Sequence, residues 1–340
     1  MSRRFRIVAF AVFAAALVAG AGTYVGIDFS RAQERSGTRT GLATTSVSAI
    51  KSQPHVVFRN TEVGGAYGLV SMVSLSDPGG PRAVTDVACD RVYATAGDAT
   101  CLRTKRGIAT TFEAQQLGAD WKPRKAWALP GIPSRTRLSA DGSLMATTVF
   151  ISGHSYMQDG FSTATEIRRV GGRDYGNLEK FTLVIDGKKV NSVDRNVWGV
   201  TFGSDDKTFY ATAATGGRTY LVRGDLGSRL LTSVRRTAEC PSLSPDGSKV
   251  AYKKNVGGSK THWAMAVLDL ATGRENTLDG ETRSVDDQAE WLDDGTLLYG
   301  LPRADDAGVS DIWSIETTRD SKPAIFVEQA WSPSVVRSSG

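Results

Sequence analysis

Apolar and polar residues alternate along most of this chain in short runs, and each run is preceded by a turn-forming cluster. The clearest unit spans residues 239–279. Pro241-Ser242-Leu243 is a short strand, and Ser244-Pro245-Asp246-Gly247 is a turn. Proline presets φ, aspartate can bond its own backbone, and glycine tolerates positive φ. Lys249-Val250-Ala251-Tyr252-Lys253 then alternates with the period of a half-buried strand. Gly257-Gly258 breaks it, Trp263-Ala264-Met265-Ala266-Val267-Leu268 forms a third strand, and a polar fourth follows Ala271-Thr272-Gly273. The pattern predicts a four-stranded antiparallel meander.

The unit recurs. Ser139-Ala140-Asp141-Gly142, Gly203-Ser204-Asp205-Asp206 and Leu292-Asp293-Asp294-Gly295 are variants of the same turn, and each is followed by a strand-like run. The aligned aspartates Asp141, Asp205, Asp246 and Asp294 stand roughly 40–65 residues apart, the size of a propeller blade. The unit at residues 132–188 is expected to end in Phe181-Thr182-Leu183-Val184-Ile185, and residues 86–129 make a weaker copy. The first unit begins at what should be its second strand, Val56-Val57-Phe58. The last segment, Ala330-Trp331-Ser332-Pro333-Ser334, reads as a first strand with nothing after it. Joined, these halves complete one blade, close a ring and remove both open sheet edges. The expected fold is all-β, a six-bladed β-propeller of four-stranded antiparallel blades closed by the C-terminal strand.

The phrases Leu243-Ser244-Pro245-Asp246-Gly247-Ser248-Lys249-Val250-Ala251-Tyr252 and Leu138-Ser139-Ala140-Asp141-Gly142 resemble the repeat of TolB-like β-propellers, a branch of the WD-like repeat group. The resemblance covers residues 55–336. It implies a six-bladed ring that binds peptides or other proteins in the cell envelope. The same family includes propellers attached to peptidase domains.

The N-terminus adds a second expectation. Arg3, Arg4 and Arg6 precede an uncharged stretch over residues 7–27. Residues 1–28 read as a signal peptide, with Ala19-Gly20-Ala21 as a cleavage site, or as an N-terminal membrane anchor. Either reading places the remainder outside the cytoplasm, secreted or held by a single pass. Residues 29–54 are polar and read as a flexible linker, and residues 55–336 as the propeller.

Charge and chemistry narrow the function. The net charge of +5 is mild and the chain has no block of five or more like charges, so nucleic acid is not an expected partner. There are three histidines. No Gly-x-Ser-x-Gly elbow, His-Glu-x-x-His or Cys-x-x-Cys occurs, so no catalytic residue, metal site or cofactor is assigned. The Asp-Gly turns read as structural.

One insertion departs from the repeat, Ile151-Ser152-Gly153-His154-Ser155-Tyr156-Met157-Gln158-Asp159-Gly160-Phe161. Loops on a rigid scaffold carry function, so His154, Tyr156, Asp159 and Phe161 are the candidate binding residues. Cys89 and Cys101 flank one predicted hairpin and are candidates for a disulfide, while Cys240 reads as a small buried hydrophobe. Trp198, Trp263, Trp291, Trp313 and Trp331 are expected to pack between blades, and Trp121 and Trp127 to face solvent or a partner. The expected function is non-catalytic binding of a protein, peptide or cell-envelope component. The alternative is a propeller hydrolase or lyase with a site in the central funnel, using His154, Asp159 and Glu166.

Overall fold

The computed structural model describes residues 42–151 and 162–337. Six antiparallel sheets stand around one axis. Their inner strands are Ala330–Val336, Arg91–Ala94, Ile132–Leu138, Asn196–Phe202, Glu239–Leu243 and Glu290–Trp291. These strands touch in that order and return to the first, so the ring is closed. We number the blades 1 to 6 in the same order.

Blade 1 joins the two ends of the propeller. Ala330–Val336 pairs antiparallel with His55–Asn60, bringing His55 opposite Val336 and Val56 opposite Val335. Leu69–Ser74 and Arg82–Ala88 complete the sheet. Thr44–Thr45 adds a short parallel strand outside Arg82–Ala88. The helix Val47–Lys51, capped by Ser46, then buries Ile50 against Val57, Val70 and Met72. The predicted linker is therefore docked from Thr44 onward, because one isoleucine finds an apolar seam.

Six apolar clusters fill the six seams between blades among the described residues. A four-stranded blade is apolar on both faces, so it is stable only when sandwiched between neighbours. The seam between blades 3 and 4 is the most elaborate and corrects an expectation. The outer strand of blade 3 is Asp174–Asn177. The run after Phe181 forms a hairpin, Thr182–Ile185 with Lys188–Val190, which adds parallel to the outer strand of blade 4, Leu230–Arg236. Phe181 and Leu183 are drawn there because they fill this seam beside Phe209 and Leu231.

The repeated turns use one hydrogen-bond network. The Ser244 hydroxyl donates to Asp246 (2.6 Å), which accepts from the Ser248 N–H (2.9 Å), while the Lys249 N–H donates to Ser244 Oγ (2.9 Å). Ser139, Asp141, Ser143 and Leu144 repeat these contacts in blade 3. Gly247 takes φ +73°, which a side chain would strain. In blade 6, Asp293 accepts from the Gly295 N–H, and Asp294 accepts from the Asp246 N–H of blade 5 at 2.9 Å. One aspartate of that pair thus makes the turn and the other latches it to the neighbouring blade.

Cys89 and Cys101 are joined by a disulfide. It ties the entry of blade 2 to its second strand, where Cys101 lies opposite Val92. Trp121 is buried in the seam between blades 1 and 2, and Trp127 lies half-buried under Arg168. Neither is the free aromatic surface that the sequence suggested.

Two outcomes follow from the turns and the disulfide. The Asp246 carboxyl is held down at about 2 by the Ser244 hydroxyl and the Ser248 N–H. Burial opposes the shift at Asp141 and Asp205, but hydrogen bonds from Ser139 and Thr208 outweigh it and lower both. Carboxyls depressed in the fold stabilise above the unfolded value of about 3.9, and the stabilisation is lost as pH falls through the folded values. The melting midpoint should therefore drop between about pH 4 and 2, and Asp246→Asn should flatten part of that drop. The variant Cys89→Ser with Cys101→Ser should lose about 3 kcal/mol in denaturant unfolding, the value for a short closed loop.

Candidate functional site: the ring axis

The inner strands aim their side chains at the axis, and blades 2, 3, 5, 6 and 1 meet there in one buried cluster. Arg137 of blade 3 pairs with Glu290 of blade 6, and their side chains are only 7% and 6% exposed. The Tyr93 hydroxyl of blade 2 donates to both Glu290 oxygens (3.2 and 3.3 Å). Arg137 also donates to Ser242 Oγ (3.2 Å) and to the Ala289 carbonyl (3.1 Å), and its guanidinium lies 4.7 Å from the centre of the Tyr93 ring. The Val335 N–H of blade 1 donates to Glu290 at 3.3 Å. Burial and the Glu290 carboxylate push the Tyr93 phenol up to about 12. Tyr93 and Glu290 raise the Arg137 pKa despite its burial. The cluster is a septum whose charges are spent on each other.

A funnel opens on the face of the repeated turns. Its cavity of about 360 Å³ has Arg137, Glu290 and Tyr93 at its floor. Leu138, Phe202, Leu243, Pro245 and Val336 supply apolar wall, while Ser204, Ser244 and Arg337 supply polar groups. Arg337 is fixed at the rim by donating to the Trp291 and Leu292 carbonyls (2.7 and 3.0 Å). A second cavity of about 340 Å³ lies beside it, under the N-terminal helix between blades 1 and 2. The two share Ala94, Thr95, Ala96, Val336 and Arg337. His55 lines the second cavity. Its Nδ1–H donates to the Gln53 carbonyl (2.7 Å), burial lowers its pKa, and Nε2 is left as an acceptor.

Beyond the septum the axis narrows to a cavity of about 20 Å³ lined by Arg91, Arg135, Asp287, Gln288 and Ser332. The inner strands bulge close to this end. Cys240 (φ +51°) and Ser332 (φ +60°) occupy left-handed positions there, as does Gly199, where a Cβ would come within 2.7 Å of the Cys240 backbone. Cys240 is buried as expected. Its setting is cationic, however: burial raises its pKa, and Lys253 and Arg135 work in the other direction.

The candidate loop residues His154, Tyr156, Asp159 and Phe161 lie outside the described residues. Glu166 is on the third strand of blade 3, away from the axis, and accepts from Arg168 at 2.8 Å. Trp198 and Trp291 are buried as expected. Trp263, Trp313 and Trp331 are half-buried and each lies under a cation: Lys253, Arg283 and Arg91. Sequence reading missed Arg91, Tyr93, Arg135, Arg137, Asp287 and Glu290. For Arg91, Arg135, Arg137 and Glu290 the signal was a charge inside an inner strand, as in Ala289-Glu290-Trp291, where an apolar residue is the norm. Among the described residues, no group of three or more His, Cys, Asp or Glu is placed to hold a metal ion. Nor is any helix there long and apolar enough to cross a membrane.

Arg137→Met should cost about 3–5 kcal/mol, because it strands Glu290 as an uncompensated buried charge. Adding Glu290→Gln should recover most of that loss, since a neutral amide still accepts from Tyr93. Denaturant midpoints of the two variants check this.

No protein-family model matches the chain, and no curated protein matches it. Solved structures do. TolB from Acinetobacter baumannii aligns with a TM-score of 0.54 at 16% identity, covering 84% of this chain and 67% of that one. A chain of a nidogen/laminin complex aligns at 0.51 with 11% identity, covering 84% of this chain and all of the other (100%). A puromycin hydrolase aligns at 0.49 with 12% identity, over 82% of this chain and 45% of that one. Identities this low speak for the fold alone, and a fold hosts many functions. In fold, the chain is a TolB-like six-bladed β-propeller.

Proposed function

We propose that this chain is a non-catalytic, extracytoplasmic binding propeller that takes a segment of a protein, peptide or other envelope component into its axial funnel. The observation that carries the reading is the pair of adjoining cavities on the turn face, together of a size with ordinary ligand sites. They adjoin across a shared wall of Ala94, Thr95, Ala96, Val336 and Arg337 and reach from the axis to the helix Val47–Lys51, with apolar wall, polar rim and a closed floor. Such an arrangement suits an extended segment inserted end-on, with the turns acting as a rigid frame. The floor also supports binding over catalysis. Tyr93, Arg137 and Glu290 are hydrogen-bonded to one another, and the raised Tyr93 phenol is a poor proton donor at neutral pH. The residues 1–28 fit this reading as a leader or anchor that delivers the ring across a membrane.

The test is site-specific photo-crosslinking in cells. Ala96 is exposed and lines both cavities, whereas Ile108 is exposed in the turn joining the second and third strands of blade 2. A photoreactive residue at 96 should give a discrete adduct, and one at 108 should not. The adduct should be lost when Ala140→Trp fills the funnel wall. Equal labelling at both positions, or an adduct indifferent to Ala140→Trp, overturns the proposal.

A further inference from the structure

Exposed apolar side chains gather at one end of the ring. Of the eight large ones among the described residues, six lie opposite the repeated turns: Tyr67, Ile108, Ile132, Phe150, Val193 and Val256. The turns join first strands to second strands, so the second-to-third loops that carry Tyr67, Ile108 and Val256 fall at the other end. Ile132 begins the inner strand of blade 3 there, opposite Phe150, and Val193 leads into the inner strand of blade 4. The other two, Val234 and Ile325, sit on outer strands, so none is on the funnel face. Ile108 projects fully into solvent, and Val193 and Val256 are 80% and 53% exposed. Apolar groups gathered on one face and bordered by charge mark a contact surface.

Each of these last three tips stands beside an exposed cation: Arg106 for Ile108, Arg218 for Val193 and Lys260 for Val256. Local acids do not cancel them. Near Ile108, Glu113 is shared by Arg103 and Lys105 (2.8 and 3.4 Å), and Asp90 is the only other carboxylate, so Arg106 leaves one positive charge over. Near Val193, Asp194 accepts from the Thr215 hydroxyl and the Gly216 N–H (both 2.7 Å), which ties this segment to the loop holding Arg218. Arg195 and Arg218 adjoin that one carboxylate. The loop over residues 255–262 carries Lys260 and no acid. Blade 6 is the reverse. In its matching loop Asp305 and Asp306 are exposed, while Arg303 is held by Asp311 at 2.8 Å.

We propose that the loops of blades 2, 4 and 5 at this end seat the ring on an anionic phospholipid bilayer, with the funnel facing away from it. The three tips stand on blades spaced around the ring, so a compact ligand cannot reach them all. A bilayer is wide and flat, anionic outside and apolar beneath. An aliphatic tip enters its headgroup layer while the neighbouring cation stays among the phosphates. The chain is long enough to allow this. Thr44 enters blade 1 at the funnel-face end, opposite Arg82. The 15 residues 29–43 extend at most about 50 Å, against about 24 Å for a seven-residue strand. Residues 1–28 can therefore lie in or at a membrane that the far face touches. The inference rests on the reading of those residues as the segment that brings the ring to a membrane, and not on the funnel having a ligand.

Spin labels on the full chain, reconstituted into vesicles of phosphatidylcholine and phosphatidylglycerol, test this. One label is placed at Ile108→Cys, with Asp306→Cys on blade 6 and Ala96→Cys at the funnel as references. The native cysteines are bonded or buried and do not compete for label. The label at 108 should gain collisions with oxygen and lose them with a nickel chelate, while those at 306 and 96 stay in water. Arg106→Glu with Lys260→Glu should lower the docked-to-free ratio at 108 at least about tenfold, since one cation at an anionic surface strengthens attachment about fivefold. Vesicles of phosphatidylcholine alone should also release it, and a far-ultraviolet spectrum checks that the ring is intact. A label at 108 that is as aqueous as the one at 306 overturns the proposal, as does lipid contact indifferent to both the charge reversals and the phosphatidylglycerol. Loss of collisions with both reagents also overturns it, since that marks a protein partner in place of lipid. Lipid contact at 108 yields no protein adduct, so crosslinking at the funnel is judged separately.

Discussion

The pairing of Ala330–Val336 with His55–Asn60 is the constraint on which the rest of the structure depends. It joins residues from opposite ends of the ring, so its loop-closure cost is large and is offset only when all six seams form together. Without it, blade 1 lacks its inner strand and the seam with blade 6, where Val56, Phe58 and Val335 meet Leu298 and Ile312, opens to water. It also places Val335, whose N–H reaches Glu290 on the axis. The same strand carries Trp331 under Arg91 and leads directly into Arg337 at the funnel rim, so ring closure assembles both ends of the axis.

A closed ring forces six inner strands to crowd around one line, and small or polar residues are what fit there. Backbone groups along these strands are satisfied partly by side chains from neighbouring blades. The Ala94 N–H donates to Ser334, Cys240 to Thr212 and Leu243 to Thr201. Ions enter the same crowded space only in compensated groups. The Arg137–Glu290 septum is fully compensated and therefore structural in character. Arg91, Arg135 and Lys253 are balanced in the same way by Asp287, Asp286 and Glu239. The axis thus has two unlike ends, a roomy polar funnel and a narrow cavity lined by paired ions, divided by the Arg137–Glu290 pair.

Much of the architecture was legible in the residue order. The alternation in Lys249-Val250-Ala251-Tyr252, the Ser-Pro-Asp-Gly turn and the complementary incomplete ends identify blades and their number, because these signals are local and repeat. The Phe181 hairpin was assigned to the wrong blade for the converse reason. Its sequence fits an outer strand of either neighbour, and only the apolar seam with Phe209 and Leu231 chooses between them. Ile50 was read as part of a linker because a single apolar residue has no periodicity.

The sequence by itself determined the β-propeller, its closure by the C-terminal strand and the structural role of the turn aspartates, since each rests on contacts within a few residues or on a repeat. Only the tertiary structure decided what lies on the axis. Arg91, Arg135, Arg137, Asp287 and Glu290 are separated by as many as 200 residues or so and come from three different blades. A charge inside an inner strand hints at the axis, but nothing local in the chain says which charges it will meet there. The ring brings them together and removes most of their water, and that loss of solvent turns ordinary strand charges into compensated ion groups along the axis.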